Sequence, residues 1–344
     1  MGDVVHTMPA ISDIAASVPN AKIDWLVEAS FAALPAMHPA IRTVIPIAWR
    51  KWRKQLFAAD TRAALAAART QLKTEQYDLV IDFQGLLKSA LWATQARGVR
   101  AGYDWASARE PLASLFYAKR AAVAVAQHAV ERSRQLAAAH LSYAVTGAQH
   151  FGLLVPDAEW MPHTLRYAVL ITGASRPEKL WPDASWQAIA ATLAEQGFAL
   201  VWLWGSAEEG ERAQRLALVS GGEVPPFLTV KDASAVLAGA SLCVGLDTGF
   251  THIAAAFGVS TVGIYCDHDP GLVGMDGEGY VASVGGRGVV PGVAEVELLV
   301  SQTATICSSS SPNPRSVRKR ASRMCHDEEH QLHCPREESV EFEQ

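Results

Sequence analysis

Apolar runs of strand length alternating with alanine-rich stretches of helical period constrain this chain more than any other feature. "KIDWLVE" and "YDLVIDF" read as strands, and "TRAALAAARTQLKTEQ" as a helix between them. After a stretch near 146–163 that contains Pro and Gly, the alternation resumes. "YAVLITG", "ALVWLWG", "LCVGLD" and "TVGIYC" are its strands, with helices from about Ser185 to Gln196, from about Glu208 and from Thr251. Repeated βα units build parallel sheets covered by helices, so the expected fold class is α/β, with two doubly wound halves. The expected units are 1–155 and 156–303, followed by a segment 304–344 rich in Ser, Pro and charge that reads as disordered.

A length of 344 residues with 49% hydrophobic content is enough for two ordinary cores. No apolar run is long enough to span a bilayer and the N-terminus lacks the pattern of a signal peptide, so the expected compartment is the cytoplasm. Five cysteines do not make a disulfide framework, and Cys243 within "SLCVGL" reads as a small buried thiol. A net charge of −5 argues against a general nucleic-acid binder.

In an open parallel sheet, ligands bind beyond the carboxyl ends of the strands. In "LCVGLDTGFTHIAAAF" a strand ends at Asp247, and a turn at Thr248 and Gly249 leads to a helix opened by Thr251 or His252. Free N–H groups and the helix dipole there suit an anion, and Gly249 would let a phosphate approach the backbone. The plainer reading is that Asp247 and Thr248 cap the helix. Walker A and GxGxxG patterns are both absent.

The loop "ITGASRPEKLWPDASW" carries Ser175, Arg176 and Lys179; Lys179 is either a solvated lysine or a charge that stabilises a leaving diphosphate. Glu208 and Glu209 after "WLWG" are helix N-terminal acids that could also accept from ribose hydroxyls. "AWRKWRKQLF" interleaves Arg50, Lys51, Arg53 and Lys54 with aromatic residues, which suits anionic sugars, phosphates or an acidic membrane surface, or a solvated helical face over a core edge. "CHDEEHQLHC" offers Cys325, His326, His330, His333 and Cys334, but its spacing is not that of a zinc finger or ribbon. The opening "MGDVVHTMPAISD" sets Asp3 before an apolar helical pattern, where an acid is ordinarily a cap.

Taken together, "MGDVVHTMPAISD", "DWLVEASFAALPAMHP", "VIPIAWRKWRK", "VIDFQGLLKSA", "AREPLASLFY", "QHAVERSRQL", "KLWPDASW", "LDTGFTHIAAA" and "DPGL" resemble the bacterial ADP-heptose:lipopolysaccharide heptosyltransferases of glycosyltransferase family 9. The type I branch fits better than type II, and the resemblance extends from residue 1 to about 303. It implies a GT-B architecture, two Rossmann-like halves facing a cleft, and inverting transfer of L-glycero-D-manno-heptose from an ADP-heptose donor to a Kdo residue of Kdo-lipid A. It implies no cofactor and no metal, and a peripheral location on the cytoplasmic face of the inner membrane.

By the same resemblance Asp3 is the general base and Lys179 acts with it in catalysis. Ser175, Lys179, Glu209, Leu228, Asp247, Thr248, Gly249 and His252 are donor contacts, and Arg50, Arg53, Lys54 and Arg109 are acceptor contacts. Ala174 stands where the family often has Thr. The family also places an apolar strand before the motif that holds Asp3; here that strand is missing, and the segment after Thr303 has no counterpart. The competing functions are a nucleotide-sugar-binding remnant impaired in catalysis, a type II enzyme, and a sugar-nucleotide epimerase on the same two-domain plan.

Overall fold

The computed structural model describes residues 1–174 and 176–309. Its N-terminal half runs α1 (Gly2–Ser17), β1 (Ile23–Glu28), α2 (Ala33–Ala36), β2 (Ile41–Ile47), α3 (Trp49–Trp52), α4 (Ala59–Leu72), β3 (Gln76–Ile81), α5 (Leu87–Ala93), β4 (Arg97–Tyr103), β5 (Lys119–Ala121) and α6 (Ala129–Leu141). Its C-terminal half runs β6 (Tyr167–Ile171), α7 (Asp183–Glu195), β7 (Ala199–Leu203), α8 (Ala207–Ser220), α9 (Val230–Gly239), β8 (Leu242–Leu246), α10 (Gly249–Ala256), β9 (Ser260–Tyr265), α11 (Pro270–Val273), β10 (Val281–Gly285) and α12 (Val293–Ser309).

The C-terminal sheet is fully parallel, in the order β10-β9-β8-β6-β7. Every residue of β6 and β8 is buried, as continuous apolar runs covered on both faces require. The chain leaves β6 for β7 on one side and returns to β8 on the other, so strand order reverses between β6 and β8. A ligand crevice belongs at the carboxyl ends of those two strands. The loops that begin at Thr172 and Asp247 emerge there.

The N-terminal half differs. Its strands form two separate parallel sheets, β1-β2 and β3-β4-β5, and no ladder joins β1 to β3 among the described residues. A side-chain bond bridges them instead, the Tyr77 hydroxyl donating to Asp24 Oδ2 at 2.9 Å. Helix α1 packs against both α6 and α10. Its Val4, Val5 and Met8 share one apolar core with Ile253 and Ala254 of α10 and with Val169 of β6. This one helix is therefore part of the core of both halves, and its first turn is delivered to the crevice.

Beyond Leu141, residues 142–166 carry no helix or strand, yet Phe151 and Leu153 are buried in that shared core. Helix α12 overruns the boundary expected at 303/304. It continues to Ser309, because Thr303 and Ala304 face inward and are buried. The rest of the expected disordered segment, and the Cys/His cluster at 325–334, lie outside the described residues. Among the described residues no helix is long and apolar enough to cross a membrane.

Candidate active site

Two helix N-termini meet at the crevice. A Cβ on Gly249, the first residue of α10, would run into the Met1 side chain, and one on Gly2 would stand 3.5 Å from the His252 ring. The positive ends of both helix dipoles therefore converge, an arrangement that favours negative charge between them. This changes the reading of Gly249. Its small size admits Met1, where the sequence suggested an approaching phosphate.

The α10 end is anion-ready in another respect, because Thr248 is its N-cap residue but makes no side-chain cap bond. The first-turn amides are thus free of a capping oxygen. Nor does Asp247 cap the helix. Its Oδ2 accepts from Lys179 Nζ at 2.8 Å and lies 2.6 Å from His268 Nδ1, while Oδ1 lies 3.3 Å from His252 Nε2. Burial works to raise the Asp247 pKa, but the bonds from His252, Lys179 and His268 outweigh it and hold the carboxyl well below its usual range.

Lys179 sits in a 3₁₀ turn, Pro177–Lys179, and its side chain is 9% exposed. It is therefore not a solvated surface lysine. His268 joins this cluster from the loop after β9, a residue the sequence analysis did not single out; its nearness to "DPGL" was the one available signal. Across the same loop Arg176 Nη2 pairs with Asp267 at 2.6 Å. Ser175 lies outside the described residues, and Ala174 packs against the C-terminal core.

Glu209 is held by the backbone beside the end of β6. Its Oε2 accepts from Gly205 N at 2.8 Å, and a Cβ on Gly173 would strike its carboxyl group. Gly173, directly after β6, is therefore the residue whose small size admits that carboxylate. Leu228 is buried in the shared core rather than facing the crevice, so its expected contact with adenine is not carried by an open surface. Its neighbour Phe227 is 63% exposed and stands 5.6 Å from the Trp204 ring, an aromatic edge that sequence reasoning missed.

On the opposite wall Asp3 occupies the first turn of α1, and its side chain does not cap the helix. Arg109 grips it instead, Nη2 to Oδ1 at 2.9 Å and Nη1 to Oδ2 at 3.2 Å. Burial works to raise the Asp3 pKa, but the hydrogen bond and charge of Arg109 prevail and keep the carboxyl below its ordinary range. Arg109 was expected among acceptor contacts; in the structure its partner is the carboxylate. Its position follows from a buried carboxylate, Asp82, which accepts from Gln84 N, Gly85 N, Ser89 Oγ and Tyr117 Oη. Gly85, at φ +62°, carries the left-handed turn of this loop and accepts from Glu110 N, next to Arg109.

The basic stretch divides into two faces. Trp49 and Trp52 pack on Trp92, each with ring centroids 6.2 Å away, while Arg50, Arg53 and Lys54 are exposed. Burial lowers the pKa of the Met1 amino group, the Asp3 charge works against it, and the charges of Arg50 and Lys88 add to the lowering, so both cations lie near the site. Among the described contacts, none joins Arg53 or Lys54 to Asp3.

A histidine bridge links the two walls: His6 Nε2 of α1 lies 3.2 Å from His252 Nδ1 of α10. Burial first, then the neighbouring charges of His252 and His128, push His6 down to about 3, so it is neutral near pH 7. With His252 Nε2–H donating to Asp247, His252 Nδ1 accepts from His6 Nε2–H. That leaves His6 Nδ1 buried without a hydrogen-bond partner.

Known proteins resemble this chain in sequence and in fold. The model of glycosyltransferase family 9 (heptosyltransferase) matches residues 65–289. The chain is 43% identical over 288 residues to lipopolysaccharide heptosyltransferase 1 of Escherichia coli K12, covering 81% of this chain and 88% of that protein. It is 40% identical over 291 residues to the Salmonella typhimurium protein of the same name, covering 82% and 90%. The solved structure of E. coli heptosyltransferase WaaC with ADP superposes with a TM-score of 0.81 at 38% identity, covering 88% of this chain and 97% of that one. E. coli ADP-heptose lps heptosyltransferase II, at 18% identity and a TM-score of 0.67 over 89% and 96% of the two chains, shares the fold. The chain belongs to glycosyltransferase family 9, the heptosyltransferases, and has their GT-B architecture.

Proposed function

We propose that this chain is an inverting heptosyltransferase of the type I branch that moves L-glycero-D-manno-heptose from ADP-heptose to a Kdo hydroxyl of Kdo-lipid A. The observation that supports the reading is that the meeting N-termini of α1 and α10 bring Asp3 and the Lys179–Asp247–His252 cluster to one crevice.

In the displacement, Asp3 takes the proton of the acceptor hydroxyl as its oxygen bonds to the anomeric carbon, and ADP departs from the opposite face. The charge growing on the diphosphate is met by Lys179 and the uncapped amides of α10, fixed groups in a sheltered site. Lys179 and His252 hold the diphosphate, and Thr248 and Gly249 shape the turn beside it. Asp247 and Glu209 accept from sugar hydroxyls, Ser175 adds a hydroxyl contact, and Leu228 backs the adenine pocket edged by Phe227 and Trp204. Arg50, Arg53, Lys54 and Arg109 meet the anionic acceptor, since guanidinium groups grip carboxylate and phosphate in a bidentate manner. On this plan the unit up to 155 binds acceptor and the unit from 156 binds donor. The enzyme works at the cytoplasmic surface of the inner membrane.

The test is incubation with ADP-heptose and Kdo-lipid A followed by mass analysis of the lipid. One added heptose supports the reading. Asp3→Ala should lose transfer by a factor of about 10²–10⁴ while keeping donor affinity, and near-parental turnover in that variant would remove Asp3 from the role of base.

The division of the N-terminal strands into two unjoined sheets favours a second reading, in which donor binding persists and turnover does not. ADP-heptose binding measured by calorimetry without lipid product would select it.

A further inference from the structure

Near the Arg109–Asp3 end of the crevice, one surface of the N-terminal half sets exposed leucines among arginines. The segment Pro111–Phe116 is a 3₁₀ helix, whose side chains eclipse every three residues. Leu112 and Leu115 therefore stand above one another on one edge, 51% and 61% exposed, while Ala113 and Ser114 between them are buried. Ala113 packs with Ala90 of α5 and with Tyr117, and beside that contact Leu91 of α5 is 51% exposed.

Core packing does not account for these leucines, since the inward residues of the same two elements are Ala90, Trp92, Ala93, Ala113 and Ser114. The carbonyl end of the 3₁₀ helix is held by two guanidinium groups. Arg120 Nε donates to Ser114 O and Arg100 Nε to Phe116 O, each at 2.8 Å. Lys119 is exposed next to Arg120. The helix follows Glu110, its N-cap residue, whose carboxylate accepts from Leu87 N; Arg109 stands one residue earlier, so the leucines lie near the pair Arg109–Asp3.

An apolar edge with a basic rim matches a surface with anionic headgroups outside and acyl chains below. Arginine and lysine would attract the headgroups, and leucine side chains would reach the acyl boundary. Charge complementarity disfavours a cationic partner.

We propose that Leu112, Leu115 and Leu91, rimmed by Arg100, Lys119 and Arg120, form the face through which this chain seats on an anionic lipid bilayer. The seat places the Arg109–Asp3 end of the crevice toward the membrane, where a lipid-borne acceptor is presented. It rests on the reading of the acceptor as a membrane lipid.

The experiment uses the full chain and sedimentable vesicles of phosphatidylethanolamine with phosphatidylglycerol, compared with vesicles of phosphatidylcholine alone. The parent chain should sediment with the anionic vesicles, less so at high salt, and not with the neutral ones. The double variant Leu112→Ser/Leu115→Ser should lose about tenfold in vesicle affinity, keep its melting temperature, and transfer heptose to a deacylated, water-soluble Kdo acceptor at the parental rate. Vesicle binding by that variant equal to the parent's would overturn the assignment. So would a parental dimer that the variant converts to monomer with vesicle binding intact, since the leucines would then serve self-association. A parent chain that ignores anionic vesicles yet glycosylates the soluble acceptor refutes the seat and leaves the transfer reading standing. Vesicle binding with no transfer to either acceptor refutes the transfer reading and leaves the seat.

Discussion

Arg109 holds both carboxylate oxygens of Asp3 across 106 residues of chain, with the two side chains 41% and 47% exposed. A bidentate grip fixes the carboxylate plane and favours its ionised form. On the proposed mechanism, an anionic acceptor that engages Arg109 would compete for the guanidinium and loosen its grip on Asp3.

Arg109→Gln therefore alters the pH dependence of transfer. On the proposed mechanism Asp3 serves as base only when deprotonated, and the pair with Arg109 keeps it deprotonated to lower pH than an isolated carboxylate. Removing the guanidinium raises the Asp3 pKa and moves the acidic limb of kcat/KM to higher pH, with a higher KM for acceptor. A pH–rate profile with an unmoved acidic limb would show that the pair does not set the base.

Lys179 and Asp247 form an ion pair with side chains only 9% and 12% exposed. Removing one partner of such a pair leaves a charge short of compensation, which costs about 3–5 kcal/mol in fully buried cases. Here His252 and His268 still face Asp247, so Lys179→Met should cost less, about 1–3 kcal/mol in urea unfolding. Donor affinity should fall in the same variant. The contribution of Asp247 is present above the ordinary carboxylate pKa and lost as pH falls through its depressed folded value.

His6 contributes in the same direction, over a higher pH window. Its folded pKa is about 3, held there by burial and by His252 and His128 against the charges of Asp3 and Asp247. An unfolded histidine titrates near 6.5, so between those values the unfolded chain binds the extra proton and stability falls as pH falls. The slope from this one group is about 1.4 kcal/mol per pH unit at most. His6→Gln should be less stable than the parent near pH 7 through the lost His252 bond, by about 1 kcal/mol. Melting temperatures measured from pH 7 to pH 4 should show the two proteins converging and then crossing, the variant becoming the more stable at the acid end.

Gly173→Ala tests the Glu209 carboxylate. The added Cβ would overlap that group, so either Glu209 or the end of β6 must shift. Overpacking of this kind costs about 1–3 kcal/mol, and the expected readout is a raised KM for donor with a smaller change in kcat. Donor kinetics equal to the parent's would show that Glu209 makes no contact with the nucleotide sugar.

The alternation of apolar runs and alanine-rich helices was sufficient to place β1, β3, β6, β7, β8 and β9 and the helices α4, α7, α8 and α10, because period and burial are properties of short segments. It also located the loops after β6 and β8, since the carboxyl edge of a parallel sheet follows from strand direction. The sequence motifs marked Asp3, Lys179, Asp247 and His252. What those residues touch was decided only by packing. The bond from His6 to His252 spans 246 residues, and the grip of Arg109 on Asp3 spans 106. Both exist because α1 lies against α10 and because the loop ordered by Asp82 brings Arg109 across. The burial of Leu228, the entry of His268 into the Asp247 cluster, and the run of α12 past 303 have the same origin. Local pattern specifies which face of an element is apolar, whereas the partner of that face is fixed only when the elements close around a common core.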